Sequence, residues 1–512
     1  MNDRWPSTRA ARIGAVALGC AALAVLGVYL VAAWPFTVDD TFITLRYSRN
    51  LASGIGPTYN ATGPRAEGYT TFLWMLVLAA PHALGFDAAL FAKVAGVAAT
   101  LATTALAAAW AWTEAPGGAS RKLWAGAVAA TCFASIPATA VHAVSGMETA
   151  LFTALLTATL FATSGYLRGR DTARWAVAGC ALLLGLTRPE GNVAAFVAVA
   201  TAASLVEAGA RRRLVVAAVA GWMAPIALYE LWRRHYYGLP FPLPFYVKLA
   251  TPGLLPGWPD VAEWLERTAL PLAALVAPAI VTAARRSQRV SLRPALATAT
   301  VLIGFFILPQ HQMGYEHRYL APLDPTLAVL AGVGFAWLTA RGHETRSGRL
   351  AMGIAAAGLA IAVGLNLAAA RGTIGGEADY GRGLTAAHAR LGRELRALDG
   401  PAGRLAISDA GATPYFSGWW TLDLIGLNDP HIARSGHPDP AWVLAQDPDV
   451  VVLASASTDH FETWDWNPWE SALYDACLAA GFTRVAVRRF ASDYWLWVMA
   501  RPSSPASALA PI

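Results

Sequence analysis

The sequence predicts a polytopic α-helical membrane protein of about eleven spans, followed by a small α/β domain on the non-cytoplasmic side. Three observations predict this class. Only 14% of the 512 residues are charged and 56% are apolar, where a soluble globular chain carries about 25% charged residues. The apolar residues gather into Ala/Leu/Val runs of bilayer-crossing length, roughly 20 residues each. Beyond residue 370 these runs stop, charges return, and short strand-like segments alternate with helical ones.

The apolar runs occupy 13–33, 69–84, 88–112, 123–141, 147–165, 174–187, 191–207, 214–232, 268–284, 295–308, 320–340 and 350–370. The first follows Arg4, Arg9 and Arg12 and resembles a signal peptide. It is too long for a signal-peptide core, and Trp34-Pro35-Phe36 is a poor cleavage site, so it reads as an uncleaved first span. Basic clusters fall at Arg121-Lys122, Arg168/Arg170/Arg174, Arg211-Arg212-Arg213, Arg285/Arg286/Arg289/Arg293 and Arg341/Arg346/Arg349. The positive-inside rule puts all of them, and the N-terminus, in the cytoplasm. Counting every run as a span places Arg121-Lys122 outside and inverts each later cluster. Treating 69–84 as an interfacial or re-entrant helix within the first outward loop (34–87) restores them all. That run is short, and Pro81-His82 interrupts it.

The membrane part therefore covers 1–370 and an extracytoplasmic α/β domain covers 371–501, with strands expected at 404–408, 421–425, 450–454, 484–487 and 494–499. Helices are expected at 384–398 and 468–480. A Pro/Ala/Ser-rich tail, 502–512, is expected to be disordered. The net charge of +6 lies mostly between spans, so it reports orientation in the membrane and no nucleic-acid partner is expected. Cys20, Cys132 and Cys180 lie in apolar runs and only Cys477 lies beyond them, which implies neither a disulfide framework nor zinc-type spacing.

The inward loops carry little but Arg, Lys, Gly and Ser. The outward loops mix acids, bases and aromatics near bilayer depth, where ionisable groups are costly unless paired or functional. The first outward loop is the richest, with Asp39-Asp40, Arg46, Gly54-x-Gly56, Asn60 and Glu67-Gly68-Tyr69. Adjacent carboxylates there suit a divalent cation (Mg, Ca or Mn) or a general base whose pKa the neighbouring charge raises. The alternative is a helix cap with a solvated partner. Glu148 opens a run after Ser145-Gly146-Met147. Arg188 and Glu190 flank Pro189, and either pair with each other or meet substrate. Tyr237 and Lys248 lie in a Pro-rich aromatic loop, 233–248, where an interfacial belt explains part of the composition and Lys248 suits a phosphate head group. Tyr315-Glu316-His317-Arg318-Tyr319 offers a second cation, Arg318, which either grips phosphate or pairs with Glu316. Trp419, Trp420, Trp464, Trp466 and Trp469 either stack on sugar rings or pack a core. Asp409 and Asp423, at strand ends, are sites or turn caps.

In this order, Asp39-Asp40-x-x-Ile43-x-x-Arg46, Gly54-x-Gly56, Asn60, Glu67-Gly68-Tyr69, Ser145-Gly146-Met147-Glu148, Arg188-Pro189-Glu190, Tyr236-Tyr237-Gly238 through Lys248, and Arg318-x-x-x-Pro322 resemble the GT-C membrane glycosyltransferases. Asp423-x-Ile425-Gly426-Leu427-Asn428-Asp429-Pro430 extends the resemblance into the C-terminal domain. The nearest named group is the mycobacterial arabinofuranosyltransferases that cap cell-wall arabinan. The resemblance implies a GT-C type fold in a bacterial cytoplasmic membrane and a polyprenyl-phosphate-sugar donor. The acceptor implied is a cell-envelope glycan or a glycoprotein. It implies Asp39 or Asp40 as catalytic base or metal contact, and Lys248, Arg318 and Arg188 on the donor phosphate. Arg46, Glu67, Tyr69, Glu148, Glu190, Tyr237, Glu316 and His317 are the further substrate-site candidates. Two departures from the family pattern stand out. The stretch Pro240-Phe241-Pro242-Leu243-Pro244 lacks the usual small polar residue and Thr, and Met313-Gly314-Tyr315-Glu316 replaces Gly-Gly-Asp. The competing readings are a transporter or flippase of lipid-linked sugars, for which inverted repeats and midplane polar residues are expected, and a non-catalytic membrane scaffold.

Overall fold

The computed structural model describes residues 9–249, 255–285, 290–309, 311, 313–341, 345–399, 402–465 and 467–509, the side chains of Lys248, Leu249 and Arg341 excepted. Among the described residues, seven helices are long and apolar enough to cross a membrane, or eight if a bent pair counts as one span. The seven are Arg9–Ala33, Ala88–Glu114, Thr149–Leu167, Ala208–Tyr237, Trp258–Ala284, Tyr315–Leu338 and Arg346–Arg396. Four shorter apolar helices accompany them: Phe72–Ala83, Ala173–Thr187, Glu190–Leu205 and Val290–Phe306. Local chemistry sets several boundaries. Asp87 caps Ala88–Glu114 by accepting from the amides of Ala89 and Leu90, and Gly238, at φ 75°, ends Ala224–Tyr237 in the left-handed conformation.

Proline explains where the expected spans are interrupted. The run 123–141 is two helices, Ala119–Ala134 and Pro137–Val144, bent by 66°. Pro137 has no N–H to continue the ladder, and Ile136 before it is extended. Single π turns at Val219–Met223 and Leu265–Ala269 likewise lie just ahead of Pro225 and Pro271.

Helix ends sort by charge. At one end Glu114 accepts from Ser164 and Ser291 and meets Arg168 at 3.5 Å, while Arg213 meets Asp171 at 2.9 Å. These contacts join loops that the sequence assigns to one side. Helix Phe72–Ala83 starts beside Thr71, which lines a cleft with Asp40, and ends with His82 facing Tyr415 of the C-terminal region. Its two ends thus lie near the first-loop cleft and the C-terminal region.

The C-terminal region is a five-stranded sheet ordered β2-β1-β3-β5-β4. Its strands are β1 (Arg404–Ile407), β2 (Trp420–Asp423), β3 (Val450–Ser455), β4 (Thr483–Ala491) and β5 (Tyr494–Ala500). β1 pairs in parallel with β2 and β3, while β5 runs antiparallel to β3 and β4. All five fall on the expected segments.

Two boundaries differ from expectation. Helix Arg346–Leu384 runs unbroken through residue 371. Its 39 residues span about 58 Å at 1.5 Å per residue, roughly twice the hydrocarbon thickness, so a rigid rod joins bundle and sheet. The tail is ordered at 505–509. Pro505–Ala508 forms a 3-10 turn, and Ala506 and Leu509 fill the core beside Val450 and Val498. Those two apolar side chains outweigh the loop-like composition around them. Residues 510–512 lie outside the described residues.

Candidate active site

The first outward loop builds the site by docking. Helix Asp39–Ala52 begins where Val38 N donates to Ser145 O (3.2 Å), and Thr41 Oγ1 donates to the same carbonyl (2.9 Å). Gly146, at φ 83°, lets the 145–148 loop lie against that helix; a Cβ there would meet Thr41 Cγ2 at 2.6 Å. The docking brings Glu148, fully buried, to the heart of a charge cluster.

Arg188 Nη1 donates to Glu148 Oε1 (2.6 Å) and Arg188 Nε to Glu190 Oε1 (2.5 Å). Arg318 lies 3.9 Å from both Glu148 Oε1 and Asp40 Oδ2. The Tyr319 ring sits between the two guanidiniums, 5.1 Å from Arg188 and 5.3 Å from Arg318. Contacts of 3.9 Å are too long for hydrogen bonds. Among the described residues Arg318 Nε and Nη1 have no acceptor, although the residue is only 6% exposed. Buried donors are nearly always satisfied, so these two mark a place for an anion. Asp40, Arg318, Tyr69, Thr44, Met147 and Leu427 are among the residues lining one cleft there.

Several expected site residues make the contacts that dock the first loop on its neighbours. Both Asp39 oxygens accept backbone amides of the C-terminal region, Gly411 at 2.9 Å and Ala412 at 2.7 Å. Burial, together with the charges of Asp409 and Asp40, raises its pKa well above the usual carboxylate range despite those bonds. Each Asp39 oxygen thus holds one backbone amide, and the second acceptor site on each oxygen is what it could offer a divalent cation. Arg46 is committed as well, donating to the carbonyls of Tyr59, Pro414 and Trp419 at 2.7 Å each and to Asn60. Burial lowers its pKa to about 10, which leaves it charged at neutral pH. Glu67 pairs with Arg233 at 2.9 Å, both 3% exposed. Tyr237 donates to Pro57 O and contacts the Tyr69 hydroxyl at 3.0 Å, so Tyr69 reaches the cleft while Tyr237 supports it from behind.

Glu316 and His317 do not line the cleft that holds Asp40. Arg318 stands beside Asp40 and Glu148, and among the described residues the alternative pairing with Glu316 is not formed. Instead His142 Nε2 lies 3.0 Å from the Glu316 carbonyl, and Glu316 and His317 adopt φ 44° and 54°. His317 joins Asp260 and Glu263, the one group among the described residues that gathers metal-ligand atoms. Lys248 lies on helix Leu243–Leu249, with its side chain outside the described residues.

In the C-terminal region, Asp423 accepts from the amides of Ile425, Gly426 and Asn428, and so shapes the turn that presents Asn428 to Tyr47. Asp409 accepts from the Tyr494 hydroxyl at 2.6 Å. Trp419 and Trp469 pack in cores, Trp464 stacks on Tyr494, and Trp420 lies under Arg404; Trp466 is outside the described residues. Sequence reasoning did not assign roles to Tyr315, Tyr319 or Arg233. The aromatics flanking Arg318 were the available signal, and nothing in the sequence marked Arg233 as the partner of Glu67.

ArnT from Cupriavidus metallidurans, solved bound to undecaprenyl phosphate, matches with a TM-score of 0.63 at 14% identity, covering 96% of this chain and 98% of that one. The chain has the GT-C fold. The oligosaccharyltransferase of Archaeoglobus fulgidus shares this GT-C architecture at TM-score 0.51 and 10% identity, over 84% of this chain and 69% of that one. The terminal beta-(1->2)-arabinofuranosyltransferase of Mycobacterium tuberculosis is 31% identical over 216 residues, 40% of this chain. The match spans 33% of that relative's length. A family model described as Domain of unknown function (DUF8728) matches residues 378–499.

Proposed function

We propose that this GT-C chain is a glycosyltransferase that takes a sugar from a polyprenyl-phosphate carrier at the outer face of a bacterial cytoplasmic membrane. Its acceptor is a cell-envelope glycan or glycoprotein. The N-terminus lies in the cytoplasm and the C-terminal domain outside, in line with the basic loops gathered at the far pole. The observation that carries the reading is Arg318, buried with unspent donors beside Asp40 in one cleft.

In the reaction the bond between the anomeric carbon and the phosphate oxygen breaks, and the acceptor oxygen bonds to that carbon. The acceptor proton passes to Asp40, and the negative charge stays on the lipid phosphate. Arg318 stabilises that charge as it develops, and its buried surroundings strengthen the effect. Glu148, Arg188 and Glu190 form a buried rack that holds Arg318 in register. Lys248 is placed by sequence in the neighbouring aromatic loop as a second phosphate cation. Arabinofuranose is the sugar favoured by the likeness to the mycobacterial arabinofuranosyltransferase.

The test uses the full chain in mixed micelles with a polyprenyl-phosphate-arabinose donor and an arabinan oligosaccharide acceptor. Arg318→Lys keeps the charge but loses the planar fork, and turnover is expected to fall by about 10²-fold. Wild-type turnover in both Arg318→Lys and Arg318→Ala contradicts the proposal. Donor movement across vesicles with no transfer to any acceptor contradicts it as well, and favours a flippase.

A further inference from the structure

A second polar cluster lies beside the Arg318 turn and plays no part in the transfer chemistry. Asp260 and Glu263 stand three residues apart on helix Trp258–Trp264, and His317 comes from the turn Tyr315–His317. One ligand-type atom from each lies within 4.8 Å of the other two. His311 approaches the same group, its Nδ1 3.1 Å from Asp260 Oδ2 and its Nε2 2.8 Å from Phe306 O. A carbonyl can only accept, so in the neutral ring Nε2 carries the proton and Nδ1 turns a lone pair toward a carboxylate oxygen. Two acceptors at that distance are held together by a shared proton or by a cation, and the carboxylates and His317 alongside suit the cation. A backbone carbonyl on the outer N–H is also how proteins fix the tautomer of a metal-ligating histidine.

We propose that Asp260, Glu263, His311 and His317 bind one zinc-class divalent cation. Two imidazoles with two carboxylates favour zinc over magnesium or calcium, which take all-oxygen sets. Ligand atoms at about 2 Å from an ion stand at most about 4 Å apart, so Asp260, Glu263 and His317 close by under about 1 Å on loading, with His311 joining from its place beside Asp260. Arg267 Nη2 now meets Glu263 Oε1 at 2.7 Å; its side chain is 62% exposed, so it swings into solvent at little cost. The ion ties the turn holding Met313, Glu316 and His317, all at positive φ, to the neighbouring helix. Arg318 is the next residue, so the ion positions the phosphate clamp from outside the cleft.

The experiment uses the full chain in detergent, stripped with EDTA, then offered Zn²⁺, Mn²⁺, Mg²⁺ or Ca²⁺ in separate arms. Retained metal is measured by mass spectrometry after desalting, with melting temperature in parallel. One Zn²⁺ per chain and a raised melting temperature are expected. Affinity should fall at least tenfold in Asp260→Asn and in His317→Ala, and stay undiminished in Arg267→Ala. Asp260→Asn, at the half-exposed rim, keeps the test available if His317→Ala does not fold. Failure of the wild type to retain zinc, or equal affinity in the Asp260→Asn/His317→Ala double variant, overturns the site. Loss of zinc in Asp40→Asn with retention in the double variant also overturns it, by placing the ion in the first loop. The readout is the ion itself, so this site and the transferase reading fail separately.

Discussion

Asp39 and Asp40 are adjacent and chemically identical, yet they serve different masters. Consecutive residues of a helix point about 100° apart, so one carboxylate meets the C-terminal region and the other the cleft with Arg318. Asp40→Asn should therefore lower transfer by about 10²–10⁴-fold, the range of a lost general base, with the melting temperature unchanged. Asp39→Asn should do the reverse. It weakens a buried carboxylate–amide contact worth about 1–3 kcal/mol and shows first in melting temperature and in protease nicking near Gly411. Parallel turnover and melting measurements decide this, and equal kinetic damage from both changes would contradict it. Glu148, Arg188 and Glu190 were legible as charges too costly to sit at bilayer depth without purpose. The pairing of Arg188 with Glu190 was one of the two readings open in the sequence; that Arg188 also meets Glu148 was not legible, because that partner lies 40 residues away.

Between elements, the site depends on close approach. Helix Asp39–Ala52 and the 145–148 loop meet where only glycine fits, and that contact sets the position of Glu148. Gly146→Ala should destabilise the chain by about 1–3 kcal/mol, the cost of a left-handed non-glycine residue, and reduce turnover by disturbing the charge rack. Adding Thr41→Ser removes the methyl that the new Cβ would strike at 2.6 Å, so the double variant should recover part of the turnover but little of the stability. A double variant no better than Gly146→Ala would show that the clash is not what matters. The periodicity and composition of the chain placed the long apolar helices and all five strands, but not short helices such as Asp39–Ala52, Leu243–Leu249 and Trp258–Trp264. They missed the 66° break at Ile136-Pro137 and the helix that passes residue 371. A span that is apolar on every side carries no phase from which to read a bend, and a helix can leave the bilayer without changing its backbone.

For the whole molecule, the C-terminal region is fastened to the first loop through buried polar groups. Burial pushes Glu470 up to about 8, where it accepts from Ala454 N and Asn467, and pushes Asp423 up to about 6. An acid whose folded pKa exceeds its unfolded value keeps its proton in the folded chain after the unfolded chain has lost it. Stability then falls as pH rises across that interval. The apparent melting temperature should decline from pH 5 to pH 8. Glu470→Gln should flatten the part between pH 6 and 8, where Asp423 no longer contributes. Melting curves at four pH values test this, and an unchanged slope in Glu470→Gln would remove Glu470 as its source. Charge sorting works at the same scale, with arginine-rich loops at one pole and the mixed-charge cluster at the other.

By itself the sequence determined the membrane class, the strands, the long apolar helices and the loops where mixed charges gather, because hydropathy, periodicity and arginine placement are local properties. It also supplied, through its ordered motifs, the resemblance to the GT-C fold. Only the tertiary structure decided which acid faces the cleft, which arginines are committed to holding domains together and which retains free donors. Each of those depends on partners brought from distant parts of the chain, as Asp39 meets Gly411 and Arg46 meets Pro414. A side chain's job here is set by what is packed against it, and packing is not written in its neighbours along the chain.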